Sequence, residues 1–228
     1  MTCFSSLPVH QKSTTQTLDV LEVMQVLAFL KKERDQKQTE TAYRNYLTIL
    51  FLFRYALRRS ELVSLKWDDF KPGEGTFKVI QKGNDPMVKP LVSEHWKLLC
   101  EFREFQRKTW EDRQGQREQS PGLHGGDSRD TCPFVFHAIR PRFNTGKYEP
   151  LSTVYVFKMV CSVAKKLFPT KKITPHSFRG TFVGVALNQN IEPGEIANGT
   201  GHKSVRMVYY YDRRDPIEHN AIAKLTFP

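Results

Sequence analysis

Across most of this 228-residue chain, apolar residues recur at three- and four-residue steps; alternation in the two-residue period of a strand, folded about a turn, occurs once, over Thr76–Val92. That contrast restricts the chain to a mainly α fold with a small antiparallel β-sheet (α+β). Thr76–Gln81 and Met87–Val92 form the two strands, and Lys82-Gly83-Asn84-Asp85-Pro86 between them is turn chemistry, so together they predict a β-hairpin. Before it, Thr17 is placed to cap a helix bearing Val20, Val23, Leu27 and Leu30 on one face and closing in the charged stretch 31–38. A second helix, Thr41–Tyr55, is apolar on more than one side and so is expected at the centre. Ala56–Leu65 predicts a tight turn into a short helix with Ser60 as its cap.

Beyond the hairpin, Glu94–Arg107 is helical, Pro133–His137 reads as a further short strand, and Ser152–Phe168 is again helical. Helices from His176 to about Gln189, over Glu192–Asn198, Lys203–Tyr211 and Pro216–Leu225 complete the chain. Residues 108–130, dominated by Gly, Gln, Ser, Asp and Arg, predict a mobile insertion, and residues 1–17 a linker or frayed terminus. Residues 18–228 are therefore expected to be one domain.

Charge narrows the partner. Lys and Arg number 35 against 24 Asp and Glu, a formal balance of +11, which favours a polyanion, nucleic acid before a membrane surface. No apolar run approaches the roughly 18–20 residues that span a bilayer, and the polar stretch 1–17 has no secretory apolar core. Cys3, Cys100, Cys132 and Cys161 show neither a CxxC pair nor zinc-ligand spacing, so they read as thiols in a reducing, cytoplasmic setting.

Five short contexts gather basic and hydroxylic groups. They are Arg58-Arg59-Ser60-Glu61-Leu62 at a helix start, Lys82 in the hairpin turn, and His176-Ser177-Phe178-Arg179, which sets an imidazole and a guanidinium at i, i+3. Gly201-His202-Lys203-Ser204 at a loop-to-helix junction and Tyr209-Tyr210-Tyr211 complete the set. No acidic pair accompanies them, which speaks against metal-ion and paired-carboxylate chemistry. The inventory suits a phosphodiester: arginines clamp non-bridging oxygens, a lysine or histidine supplies a proton, and a nucleophile attacks in line. Singly, each context has an ordinary reading: an i, i+3 ion pair for Arg58 and Glu61, a solvated edge for Lys82, part-core packing for the tyrosines.

In order and spacing, the five contexts resemble the catalytic domain of the tyrosine recombinase (phage integrase) family. Tyr55-Ala56-Leu57-Arg58-Arg59-Ser60-Glu61-Leu62 is similar to its first arginine box, with Ala56 where glycine is usual. Gln81-Lys82-Gly83-Asn84 with Val88-Lys89-Pro90-Leu91 resembles its lysine hairpin, lacking the usual Arg after K-G-N, which makes Lys89 a competitor of Lys82. His176-Ser177-Phe178-Arg179-Gly180-Thr181-Phe182 resembles the HxLR box, with Gly180 where His or Arg is common. Thr200-Gly201-His202-Lys203-Ser204-Val205 resembles the LGHxSI box, with Thr200 for Leu, and Tyr211 follows His202 by nine residues, as the family's nucleophile does.

The resemblance implies a site-specific recombinase that cleaves and rejoins DNA through a 3′-phosphotyrosyl intermediate, without metal, ATP or other cofactor. It implies Tyr211 as nucleophile, Arg58 and Arg179 as phosphate clamps, Lys82 as the acid for the leaving 5′-oxygen, His176 as acceptor of the tyrosine proton, His202 as a further donor and Glu61 as a support for Arg58. Double-stranded DNA would meet the basic clusters Lys165, Lys166, Lys171, Lys172 and Arg213-Arg214, with the chain a monomer when free and a tetramer on DNA. A helical core-binding domain usual in the family has no counterpart in the residues ahead of 18. The alternatives are a type IB topoisomerase, which shares the phosphotyrosine chemistry, a DNA-binding module that has lost cleavage, and, disfavoured by the missing acidic cluster, a metal-dependent nuclease.

Overall fold

Three of the long helices begin on a side chain that caps them. Asp19 accepts from the Glu22 amide while Glu22 reaches back to the Asp19 amide, opening α1 (Val20–Lys37). Thr39 caps α2 (Glu40–Arg54) and Ser152 caps α5 (Thr153–Leu167). The computed structural model describes residues 15–117, 132–138 and 149–214, with the backbone alone for 109–117. Between these helices lie α3 (Arg59–Ser64), strands β1 (Phe70–Lys71), β2 (Thr76–Ile80) and β3 (Pro86–Pro90), and α4 (Ser93–Arg117). The described chain closes with α6 (Pro175–Asn188), α7 (Pro193–Thr200) and the single turn α8 (Arg206–Tyr209).

The expected class is thus the observed one, mainly helical with a small antiparallel sheet, in strand order β1-β2-β3. The register pairs Phe70 with Phe77 and Phe77 with Lys89. Several local expectations need correction. The cap of α1 is Asp19, whose carboxylate and partner Glu22 outcompete Thr17, and α3 starts after Arg58, ahead of Ser60. Strand β1 was not expected: two residues carry no periodicity. Helix α4 continues through Arg117, so the first part of the expected 108–130 insertion is helical; its Lys, Arg, Glu and Gln are good helix formers even with no apolar face to reveal them. The rest of that segment, and the expected helix Pro216–Leu225, lie outside the described residues. Pro133–His137 forms isolated bridges, Lys66 to Phe134 and His137 to Pro150, in place of a strand. Residues 15–17, expected at the end of a linker, are tied to the domain: Gln16 accepts from the Lys172 amide and Thr17 lies against Gly180.

Two apolar clusters organise the domain. The larger one gathers α1, α2, α5 and the sheet around Phe51, Phe77, Phe102 and Phe136, with Phe70 stacked on Phe77 at 5.2 Å between centroids. The smaller one joins α6, α7 and α8 through Val183, Ala186, Leu187, Ile196, Ala197, Val208 and Tyr211. Helix α6 belongs to both, through Phe178 on the first and Val183 on the second.

Candidate active site

The turn between α2 and α3 presents the first arginine. Ala56 adopts the left-handed backbone, φ 49°, where glycine is favoured, so the residue at the family's glycine position has a steric consequence. The turn leaves Arg58 at the head of α3, with its amide donating to Glu61 Oε2 at 2.8 Å and its Nη1 donating to Glu61 Oε1 at 2.5 Å. Glu61 is buried while Arg58 is 35% exposed, so the carboxylate ties the guanidinium down at Nη1 while the side chain stays partly open to solvent. Arg58 and His176 also face an open cleft of about 390 Å³, walled further by Arg59, Ser60, Phe157 and Pro175.

Arg179 on α6 is 1% exposed. Its Nη1 donates to the Ala56 carbonyl at 2.6 Å and its Nε to His202 Nε2 at 3.2 Å, whereas Nη2, equally buried, has no partner among the described residues. A guanidinium with two of its nitrogens fixed and the third unpartnered is oriented for an anion. Burial, and then the neighbouring Arg58, pull its pKa down to about 10.

His202 follows Gly201, which closes α7 in the left-handed conformation, φ 70°. Because Nε2 accepts from Arg179, the ring proton sits on Nδ1 and donates to Thr200 Oγ1 at 2.9 Å; that hydroxyl donates onward to the Ile196 carbonyl at 2.7 Å. Burial first, then Arg179, Arg58, His176 and Lys89, push the His202 pKa down to about 3. In this arrangement His202 is an acceptor that steers Arg179, which differs from the donor expected from the sequence.

Tyr211 is 2% exposed, with its ring belonging to the smaller cluster. Its hydroxyl donates to His176 Nε2 at 2.5 Å, its ring lies parallel to that of His202 at 5.9 Å, and an edge covers Gly180. Much of His176 is exposed, but Nε2 is turned to the buried phenol; desolvation first, then Arg179 and Arg58, lower its pKa and keep it a neutral acceptor. Burial raises the Tyr211 phenol above its ordinary value.

Arg58, Glu61, His176, Arg179, His202 and Tyr211 are therefore brought together. Lys82 is not: it is exposed in the hairpin turn, beside Gln81, whose side chain packs on Gly201. Lys89 stands in the cluster instead, 3% exposed, its ammonium donating to the Gly199 carbonyl. Burial, then Arg179, lower its pKa to about 8, with Glu61 opposing. The signal for Lys89 was in the strand alternation, which sets Met87, Lys89 and Leu91 on one face. Thr200, which stands where the family has Leu, is the acceptor for His202, a role that its place in the sequence does not signal.

Of the basic clusters, Lys165 and Lys166 are exposed at the end of α5, and Lys172 is exposed too. Lys171 is paired with Glu22. Arg214 is held by Asp212 at 2.7 Å and by the Leu187 carbonyl, so it anchors the segment after Tyr211 in place of joining a free basic surface; Arg213 donates to the Thr15 carbonyl. Among the described residues no group of three or more His, Cys, Asp and Glu side chains could hold a metal, and no helix is long and apolar enough to cross a membrane.

The model of the phage integrase family matches residues 16–217. The chain is 26% identical over 193 residues to the tyrosine recombinase XerD of Staphylococcus saprophyticus subsp. saprophyticus, covering 85% of this chain and 57% of that protein. A tyrosine recombinase of Agathobacter rectalis is 23% identical over 215 residues, covering 91% and 62%. The chain thus spans about three fifths of the length of these relatives. Among solved structures, XerA recombinase superposes with a TM-score of 0.64 at 18% identity, covering 96% of this chain and 68% of that one. XerH site-specific recombinase, in a post-cleavage complex with its palindromic difH substrate, gives 0.64 at 19% identity, covering 92% and 52%. Those two likenesses establish the fold.

Proposed function

Because the chain belongs to the phage integrase family, we propose that it is the catalytic domain of a site-specific DNA recombinase that breaks and rejoins strands through a 3′-phosphotyrosyl intermediate. The observation that carries this reading is the phenol of Tyr211 bonded to a neutral His176 at 2.5 Å beside a buried arginine with an unpartnered Nη2. A nucleophile from the segment after α8 thereby meets a base and an anion donor that α6 carries one turn apart.

In the reaction, Tyr211 Oη attacks the scissile phosphorus while His176 Nε2 takes the phenolic proton. Arg58 and Arg179 hold the non-bridging oxygens as charge develops, with Glu61 fixing the first and His202 with the Ala56 carbonyl fixing the second. The P–O5′ bond breaks, and Lys82 protonates the leaving 5′-oxygen when DNA draws the hairpin turn inward. The Lys89 ammonium is engaged by Gly199, which supports Lys82 for the proton-donor task. Rejoining runs the same steps backwards, and the phosphotyrosyl bond stores the energy. Duplex DNA would lie across the cleft flanked by Arg58, Arg59 and Phe157, with Lys165, Lys166 and Lys172 contacting phosphates. XerH is described on its DNA substrate, which supports DNA as the partner here. A monomer when free and a tetramer on DNA would suit paired-strand exchange.

Covalent capture tests the proposal. The full-length protein is incubated with a randomised pool of nicked duplexes, and DNA that resists removal by detergent is recovered. Recovery by the wild type in EDTA, and none by Tyr211→Phe, is expected. Equal recovery by Tyr211→Phe, or a requirement for magnesium, would sink the proposal.

A further inference from the structure

We propose that Lys89 is a positioning residue, a buried ammonium that closes the C-terminal end of α7 through the Gly199 carbonyl and so holds His202 against Arg179. This deepens the recombinase reading and rests on it for its catalytic consequence.

The last carbonyls of a helix need outside donors. In α7, Ala197 receives the amides of Gly201 and His202, Asn198 receives Gly201, and Ile196 receives the Thr200 hydroxyl. Gly199 receives Lys89, whose positive charge also suits the negative end of the helix. Two residues later comes Gly201, against which Gln81 packs, and then His202. Lys89 and Gln81 both belong to the hairpin, so the sheet grips the loop bearing His202 at two points.

A lysine is a costly choice here. Its Cα partner is the core residue Phe77, and the strand alternation asks for an apolar side chain. Around it stand the cations Arg58 and Arg179, with Glu61 the carboxylate that opposes them. Packing alone would be served better by methionine, because removing a like charge relieves repulsion and burial cost. What methionine cannot do is donate to Gly199.

The test reads His202 in the DNA-free, full-length protein by ¹⁵N NMR. The groups acting on its ring are Arg179, Arg58, His176 and Lys89, and burial is the largest influence, Lys89 charge the smallest. In wild type, His202 is expected as the neutral Nδ1–H form down to about pH 5, well below the ordinary His range. Lys89→Met should raise its midpoint by more than about one unit, because the released loop wets the ring, whereas loss of one screened charge moves it by a few tenths. Lys89→Arg, which keeps a donor, should restore the low midpoint. Lys89→Met should also melt no lower than wild type and cleave captured DNA at least tenfold more slowly with unchanged affinity. A midpoint and a cleavage rate both at wild-type values, or a lowered melting temperature with an unmoved His202, overturns the proposal. The titration needs no DNA, so absence of cleavage in wild type would count against the recombinase reading while the NMR result still decides the role of Lys89.

Discussion

Gly180 is the floor on which the Tyr211 ring rests. A Cβ at that position would lie 3.1 Å from Tyr211 Cδ1, 3.3 Å from Cε1 and 3.1 Å from Thr17 Cγ2, inside the roughly 3.5–4.0 Å of ordinary carbon contact. In Gly180→Ala the ring and the threonine must both retreat by about half an ångström. Overpacking of this kind costs about 1–3 kcal/mol. Alanine in place of a mid-helix glycine returns about 1 kcal/mol. The net expectation is a loss of about 0–2 kcal/mol, seen as a melting temperature unchanged or lower by several degrees at about 2–4 °C per kcal/mol. The informative readout is the phenol. Displacement from His176 toward solvent should lower the Tyr211 pKa from its raised value toward the ordinary one, measured by ultraviolet titration against Tyr211→Phe. A melting temperature higher by about 2–4 °C with an unshifted phenol would refute the reasoning, since it would mean that the helix gain is realised at no cost to the ring.

Arg179→Lys should lower single-turnover cleavage by about 10²–10³, because a point charge cannot replace a guanidinium fixed at Nη1 and Nε, with near-wild-type activity as the contrary result. Lys82→Ala should be slow on ordinary DNA but restored on a 5′-bridging phosphorothiolate, whose leaving group needs no proton, and no rescue would remove Lys82 from the acid role. Ala56→Gly should stabilise the protein by about 0.5–1 kcal/mol, relieving left-handed strain against the entropy of glycine, and should leave cleavage intact because the carbonyl remains; a lower melting temperature would contradict it. His202 and His176 have lowered pKa values when folded, so the unfolded chain binds more protons in acid. Their effect on stability is therefore nil above about pH 7 and becomes a growing loss as pH falls from about 6.5 toward about 3, checked by urea melts of wild type against His202→Gln.

The parts of the fold legible in the sequence are those with long periodicity. The helices α1, α2 and α5 and the single alternating hairpin follow local patterns, and local patterns determine local structure; the face read for α1 is right at Val23 and Leu30, but Val20 is 47% exposed and Val26 is buried in its stead. Strand β1 and the polar half of α4 lacked such a pattern. The site divides likewise. Arg58 with Glu61 at i, i+3 and His176 with Arg179 at i, i+3 can be read from one helix each. The contacts that orient Arg179, Ala56 at a separation of 123 residues and His202 at 23, depend on tertiary packing, as does the choice between Lys82 and Lys89. Arg214 shows the opposite failure: a basic doublet looks solvated in sequence, but Asp212 two residues earlier provides its partner.

The site lies on the seam between the two apolar clusters, and this explains why one arginine is buried so deeply. Arg58, Glu61 and Lys89 are carried by α3 and β3 on the side of the larger cluster; His202 and Tyr211 are carried by α7, α8 and the turns after them on the smaller one. Arg179, from the helix common to both, joins the sides by donating to Ala56 and to His202. Each of those charge-assisted bonds is worth about 1.5–3 kcal/mol, and an unmade buried donor such as Nη2 costs about 1–3 kcal/mol. A phosphate oxygen reaching Nη2 would cancel that cost without moving the guanidinium, so binding of the anion and closure of the seam favour each other. Loosening of the smaller cluster would carry away the nucleophile and His202 together while leaving the Arg58–Glu61 pair in place, because that pair draws on the larger cluster alone.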